Sequence, residues 1–131
     1  MKILQILFAV ILASCSFAIS SCDRYELDFD EEIITRNFNK EMEENPSPNE
    51  IIGILDASSS YTRITFNLLS QTPEGAMAVS DQRDHKGEIS VADSSLFDFE
   101  NHKEINARVA VFNPDNADTI NINIKLLDVE E

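Results

Sequence analysis

The stretches "INARVAVF" (residues 105–112) and "TININIKLLD" (residues 119–128) decide the fold class of this 131-residue chain. Apolar side chains occupy every second position of both: Ile105, Ala107, Val109 and Val111 in the first, then Ile120, Ile122, Ile124 and Leu126 in the second. Side chains of an extended chain point alternately to opposite faces, so this period of two predicts two strands that each bury one face. The turn-rich "NPDNAD" (residues 113–118) separates them.

The same period runs back along the chain to residue 49. Further strands are predicted within "NEIIGILDA" (residues 49–57), "YTRITFNLL" (61–69), "GAMAV" (75–79) and "GEISVAD" (87–93). Clusters of Ser, Asp, Gly and Pro separate them, and no helical period is present after Pro48. We therefore predict an all-β protein, with a single antiparallel β-sandwich over residues 44–131.

Residues 22–43 differ in composition from the predicted strands. Between residues 23 and 50 there are ten acidic residues against three basic ones, Arg24, Arg36 and Lys40. Such an excess of charge is typical of a solvated linker. Ile34, Phe38 and Met42 recur every four residues, which also fits a short amphipathic helix. We therefore predict an acidic tether over residues 22–43, either as coil or with a short helix.

The first 21 residues have the layout of a secretory signal. Lys2 is followed by the uncharged "ILQILFAVILASCSFAI" (residues 3–19), which has the length of a signal core and is short for a membrane span. "ISSC" (residues 19–22) resembles the lipobox of bacterial lipoproteins, whose cysteine is acylated and becomes the first mature residue. "LASC" (residues 12–15) also fits, but acylation of Cys15 would leave an unusually short signal, so we favour Cys22. An uncleaved anchor helix is the remaining alternative.

Charge and cysteine content restrict the partners of the mature chain. If Cys22 carries lipid, no later cysteine exists to form a disulfide, and the core must stabilise the domain. Removal of residues 1–21 takes away one lysine and no acid, which leaves 9 basic and 24 acidic residues and a net charge of −15. This charge argues against nucleic acid and favours cations or basic protein partners. The expected location is the cell envelope or cell surface, outside the cytoplasm and anchored to a membrane by lipid.

Catalytic chemistry has little support in the sequence. His85 and His102 lie in predicted loops without a second ligand at zinc-binding spacing. The serines at positions 58–60 lack the surroundings of a nucleophile elbow. Asp81 and Asp84 are the right residue type for a glycosidase pair, but the chain has no Trp to hold a sugar. We predict that the protein is not an enzyme.

In order and spacing, residues 43–131 resemble a cadherin repeat. The opening is similar to the family pattern EN-P-x-N-x-x-x-G-x-L-x-A, here with Glu44, Asn45, Pro48, Asn49, Gly53, Leu55 and Ala57. The segments "AMAV" (76–79), "KGEISVAD" (86–93) and "SLFDFE" (95–100) follow the middle of that family. "INIKLLDVEE" (122–131) resembles its last strand and the start of its linker. The resemblance implies a seven-stranded Greek-key sandwich and a role in adhesion or protein interaction.

The resemblance also implies calcium ligands, because cadherin repeats gather carboxylates at their C-terminal ends. Residue by residue, it places ligands at Glu44, Asp98, Glu100, Asp128 and Glu131. Carboxylate oxygens are the ligands that calcium prefers. An extended "SLFDFE" would point Asp98 and Glu100 outward together, with Phe97 and Phe99 toward the core. A strand end that is simply solvated is the alternative.

Departures from the family pattern make any calcium site incomplete. "LDASSSYTR" (residues 55–63) lacks the family's Asp-x-Asp pair, Asn113 stands where an Asp is common, and Glu130 replaces the linker Asn. Half a site predicts weak affinity, about 10⁻⁴–10⁻³ M as for extracellular modules. We therefore expect a lipid-anchored interaction module with weak calcium binding. The alternative is an accessory envelope lipoprotein that packs into a larger complex without calcium.

Overall fold

A computed structural model describes residues 32–60 and 63–130. Those residues form eight strands and one short 3₁₀ helix, Ser94–Leu96. The strands are β1 (Ile34–Thr35), β2 (Phe38–Glu43), β3 (Ile51–Ser58), β4 (Thr65–Thr72), β5 (Met77–Asp81), β6 (Lys86–Val91), β7 (Glu104–Phe112) and β8 (Ala117–Leu127). No helix in these two ranges is long and apolar enough to cross a membrane. The predicted signal segment, residues 1–21, lies outside the described residues.

The strands make two four-stranded sheets. Sheet I has the order β1-β3-β6-β5, and sheet II has the order β2-β8-β7-β4. All pairs are antiparallel except β2 with β8, which is parallel. The predicted fold class, an all-β sandwich, is confirmed. The described chain has eight strands rather than seven, and one parallel pair.

The core lies between the inner faces of the two sheets. In β7 and β8 the alternate positions named from the sequence are buried, and Ile105, Val109, Val111, Ile120 and Ile124 have no exposed surface. Full burial of such a side chain contributes about 1.5–3 kcal/mol. Asn106 and Asn123 form a cross-strand pair, and their side chains are joined by a hydrogen bond of 2.7 Å on the outer face. The alternation of Ile and Asn in β8 thus separates core from solvent, as predicted.

The described part of the acidic stretch is not a tether. Residues 38–43 form β2, which pairs in parallel with β8 from Phe38↔Ile122 to Glu43↔Leu127. Neither coil nor the short helix is correct here. Spacing of four residues fits a strand as well as a helix, because it is a multiple of two. Phe38 and Met42 therefore both pack against the core from one strand face.

Lys40 lies on that same face of β2 without placing its charge in the core. Its Nζ donates a 2.5 Å hydrogen bond to the carbonyl oxygen of Ile52 in sheet I. The aliphatic part of a lysine side chain can cover apolar surface while its ammonium group finds a polar partner. A basic residue inside an acidic segment is thus compatible with a strand that belongs to the sandwich.

Side-chain hydrogen bonds close the opposite side of the sandwich, between β4 and β5. The Gln71 amide accepts a hydrogen bond from the backbone N–H of Met77 at 2.8 Å and donates one to the Met77 carbonyl at 3.2 Å. The Asp81 carboxylate accepts the backbone N–H of Phe66 at 2.6 Å. Strand edges carry unpaired backbone groups that favour aggregation, and these bonds satisfy three of them. Asp81 thus has a structural role here.

Candidate functional site

An acidic cleft lies at the C-terminal pole, the end of the sandwich where β2 and β8 finish. It has a volume of about 250 Å³ and is lined by Glu44, Asn45, Asp98, Glu100, Asp128 and Val129. Four of the five predicted calcium ligands therefore meet in one place, although they come from three separate parts of the chain. The fifth, Glu131, lies outside the described residues.

The segment "SLFDFE" does not form the predicted strand end. Ser94–Leu96 is a 3₁₀ helix, and a hydrogen-bonded turn follows Phe97. Asp93 begins the helix, since its carboxylate accepts the backbone N–H of Ser95 at 3.0 Å. The Asp98 carbonyl then accepts the N–H groups of Asn101 and His102 at 3.2 and 2.7 Å. Short polar side chains that bond the local backbone favour turns over strands, and this outweighs the alternating pattern.

The burial of residues 97–100 agrees only in part with the predicted alternation of buried aromatic and exposed acidic side chains. Phe97 is fully buried, and Phe99 is half-buried against the core. Glu100 is exposed, and Asp98 is half-buried. Asp98 accepts the N–H of Glu100 at 2.9 Å through one carboxylate oxygen and the Asn101 amide at 2.6 Å through the other. Both acids line the cleft because of the turn, whereas the period of two predicted that they would point outward together from a strand end.

Glu44 follows the last residue of β2 and contacts two other segments. Its Oε2 accepts the backbone N–H of Phe99 at 2.9 Å, and its Oε1 accepts the backbone N–H of Val129 at 3.0 Å. The Glu44 backbone N–H donates to the Leu127 carbonyl at 3.1 Å. Each carboxylate oxygen therefore already has one hydrogen-bond donor from the protein.

These contacts determine how well the residues fit calcium. A calcium site needs about 6–8 oxygen ligands directed at one point. In residues 32–60 and 63–130, no group of three or more His, Cys, Asp or Glu side chains has the arrangement of a metal site. Glu44 and Asp98 direct their oxygens at N–H donors, which leaves Glu100 and Asp128 as the more open carboxylates. The residues share a cleft but are not arranged as a complete coordination cage.

Asn45 is a residue of the cleft that the sequence prediction did not include as a ligand. It has a positive φ of 59° and precedes Pro46, and its backbone N–H donates to the Phe97 carbonyl at 2.8 Å. Asn tolerates this left-handed conformation better than most residues, and an Asn-Pro pair is a turn signal. The dipeptide could therefore have indicated that the chain turns beside Glu44.

A second groove lies where the chain crosses from sheet I to sheet II. It has a volume of about 330 Å³ and is lined by Ile34, Arg36, Asn37, Phe38 and residues 54–58. Of its apolar lining residues, Ile34 is 57% exposed and Ile54 is 40% exposed. This groove was not predicted from the sequence, because the composition of residues 34–38 indicated a tether.

The sandwich is similar in fold to solved structures of extracellular cadherin domains. Extracellular cadherin domains 1–5 of protocadherin gamma B2 are 21% identical over 76% of this chain and 20% of theirs, with a TM-score of 0.62. Domains 3–6 of the same protein are 24% identical over 75% of this chain and 22% of theirs, with a TM-score of 0.60. Domains 1–4 of Drosophila N-cadherin are 19% identical over 71% of this chain and 23% of theirs, also with a TM-score of 0.60.

The fold is cadherin-like. At these identities the comparison concerns the fold alone, and this chain spans about a fifth of the length of each of those multidomain structures. No protein-family model and no curated protein sequence matches the chain. The resemblance read from residues 43–131 is thus confirmed as to fold.

Proposed function

We propose that this protein is a lipid-anchored, non-enzymatic cadherin-like module that binds a protein partner outside the cytoplasm. The observation that carries this proposal is the acidic cleft at the C-terminal pole. The described chain enters the sandwich through Ile33 and β1, at the pole opposite the cleft. An anchor at Cys22 would leave the acidic pole directed away from the membrane and accessible to a basic partner.

We further propose that calcium binds weakly at this pole. Glu100 and Asp128 supply the most accessible oxygens, with Glu44 and Asp98 as neighbours in the cleft. Glu131 remains a ligand expected from the family pattern alone. Calcium at millimolar concentration would reduce the repulsion among these clustered carboxylates. With a dissociation constant of about 1 mM, 5 mM calcium stabilises the folded state by about 1 kcal/mol.

Thermal melting of the full-length protein in detergent tests the calcium binding. We expect 5 mM calcium to raise the melting temperature by a few degrees relative to chelator, as about 1 kcal/mol does for a chain of this size. Glu100→Ala should remove most of the shift. Asp84→Asn is the matched control, because Asp84 is an exposed acid in the turn between β5 and β6, at the pole opposite the cleft. An equal shift in Glu100→Ala and wild type, or no shift at all, would rule out this site.

A second candidate function is that of an accessory envelope lipoprotein that packs into a larger complex without calcium. Ile34 of the edge strand β1 and Ile51 and Ile54 of the neighbouring β3 are exposed, and they favour this candidate because exposed apolar side chains favour protein contacts. Crosslinked membranes provide the test. A stoichiometric partner that remains bound in chelator and is lost in Ile54→Lys supports this candidate. Loss of the partner in Glu100→Ala instead, with Ile54→Lys unaffected, supports the acidic pole.

A further inference from the structure

Four hydrogen bonds around Glu44 join three segments that are distant in sequence. Two come from its carboxylate, which accepts the backbone N–H groups of Phe99 and Val129 at 2.9 and 3.0 Å. Two are between backbone groups: Glu44 N–H to the Leu127 carbonyl at 3.1 Å, and Asn45 N–H to the Phe97 carbonyl at 2.8 Å. Together they hold the end of β2, the turn after Phe97 and the chain that follows β8.

The bonds from the carboxylate are the stronger kind. A hydrogen bond to an ionised acceptor is roughly twice as strong as one between neutral groups. Glu44 is half-buried rather than fully exposed, so water competes with its two N–H partners less than it would at an open surface. Asp98 is likewise occupied within its own turn, by Glu100 N–H and the Asn101 amide.

We propose that Glu44 is a cation-independent clasp that fixes the geometry of the C-terminal pole. The carboxylate of Glu44 binds backbone N–H groups from two segments that are distant from it in sequence, at Phe99 and Val129. The clasp does not depend on the calcium affinity or the protein partner proposed above, and its test can fail without affecting either.

Hydrogen exchange of the full-length protein in chelator tests the clasp. We expect the amides of Phe99 and Val129 to exchange at least about tenfold faster in Glu44→Ala than in wild type. Each of these amides loses a charge-assisted hydrogen bond in that variant. Glu44→Gln keeps the shape but has one acceptor oxygen instead of two. We expect it to release at least one of the two amides by a similar factor. The amides of β7 show that each variant is folded.

Glu100→Gln is the matched control, since Glu100 is an exposed acid of the same cleft and its carboxylate is not required for the clasp. It should leave both amides at the wild-type rate. Addition of 5 mM calcium to wild type should slow neither amide by more than about sixfold, the largest factor that a dissociation constant of about 1 mM allows. Two results would overturn the proposal: protection of Phe99 and Val129 that arises only when calcium is added, or wild-type exchange at both amides in Glu44→Gln.

Discussion

Gly87 illustrates how a single residue sets the distance between the two sheets. It is buried in β6, and a Cβ atom added there would lie 2.8 Å from both Cγ and Cδ1 of Phe66 in the opposite sheet. Phe66 is only 5% exposed, so its ring has little room to move away. The absence of a side chain at position 87 is thus required by close packing.

We therefore predict that Gly87→Ala lowers the free energy of unfolding by about 1–3 kcal/mol, the usual cost of overpacking a core. Urea unfolding followed by circular dichroism measures it. Ser90→Ala in the same strand is the control, and it should change the free energy of unfolding by less than about 0.5 kcal/mol because Ser90 lies on the outer face. Equal effects of the two substitutions would contradict close packing at Gly87.

At the scale of the element, β2 was the strand that the sequence did not predict. Alternation identified the inner faces of β7 and β8 because four consecutive pairs of positions repeat the pattern in each. In β2 only Phe38 and Met42 mark the inner face, and the position between them is Lys40. Its pairing partner, β8, lies 84 positions later in the chain. The composition of residues 38–43 gives no indication of a pairing with a strand so distant in sequence.

The strand end predicted at residues 95–100 was wrong because a strong alternating pattern was present where the chain forms a turn. "SLFDFE" alternates well, but Asp93 and Asp98 bond the backbone near them and stabilise a 3₁₀ helix and a turn. The grouping of Glu44, Asp98, Glu100 and Asp128 could be predicted from the family pattern. Their hydrogen-bond partners could not, because the partners depend on where three distant segments meet.

Substitutions within β2 separate a strand from a tether. Phe38 is half-buried against the core, so we expect Phe38→Ala to lower the free energy of unfolding by about 2 kcal/mol, somewhat less than a fully buried Phe. Glu41→Ala is the control in the same strand. Glu41 and Lys125 form a 3.4 Å ion pair whose side chains are 62% and 58% exposed, and such surface pairs contribute little. If residues 38–43 were a tether, both substitutions would be silent in urea unfolding.

At the scale of the whole molecule, the order of the elements places the start of the described chain and the acidic cleft at opposite poles. β8 runs the length of the sandwich with 11 residues, which corresponds to about 35 Å from one pole to the other. β1 begins beside the start of β8, where the Thr35 hydroxyl donates a hydrogen bond to the Asp118 carboxylate. The acidic cleft is beside the end of β8, where Val129 meets Glu44. The end of the domain that is joined to residues 22–31 is therefore not the end that carries the cleft.

The proposed lipid anchor at the N-terminus would direct this cleft away from the membrane, and it can be tested directly. We predict that intact-mass measurement of protein extracted from membranes shows a chain that begins at Cys22 and carries acyl groups, with residues 1–21 removed. Cys22→Ser should retain the leader or yield a protein that is not acylated, because only a cysteine thiol accepts the lipid. Cys15→Ser is the matched control and should be processed as wild type. Acylation at Cys15, or a mature protein that still begins at an unmodified Met1, would contradict the prediction, and the second result would favour an uncleaved anchor.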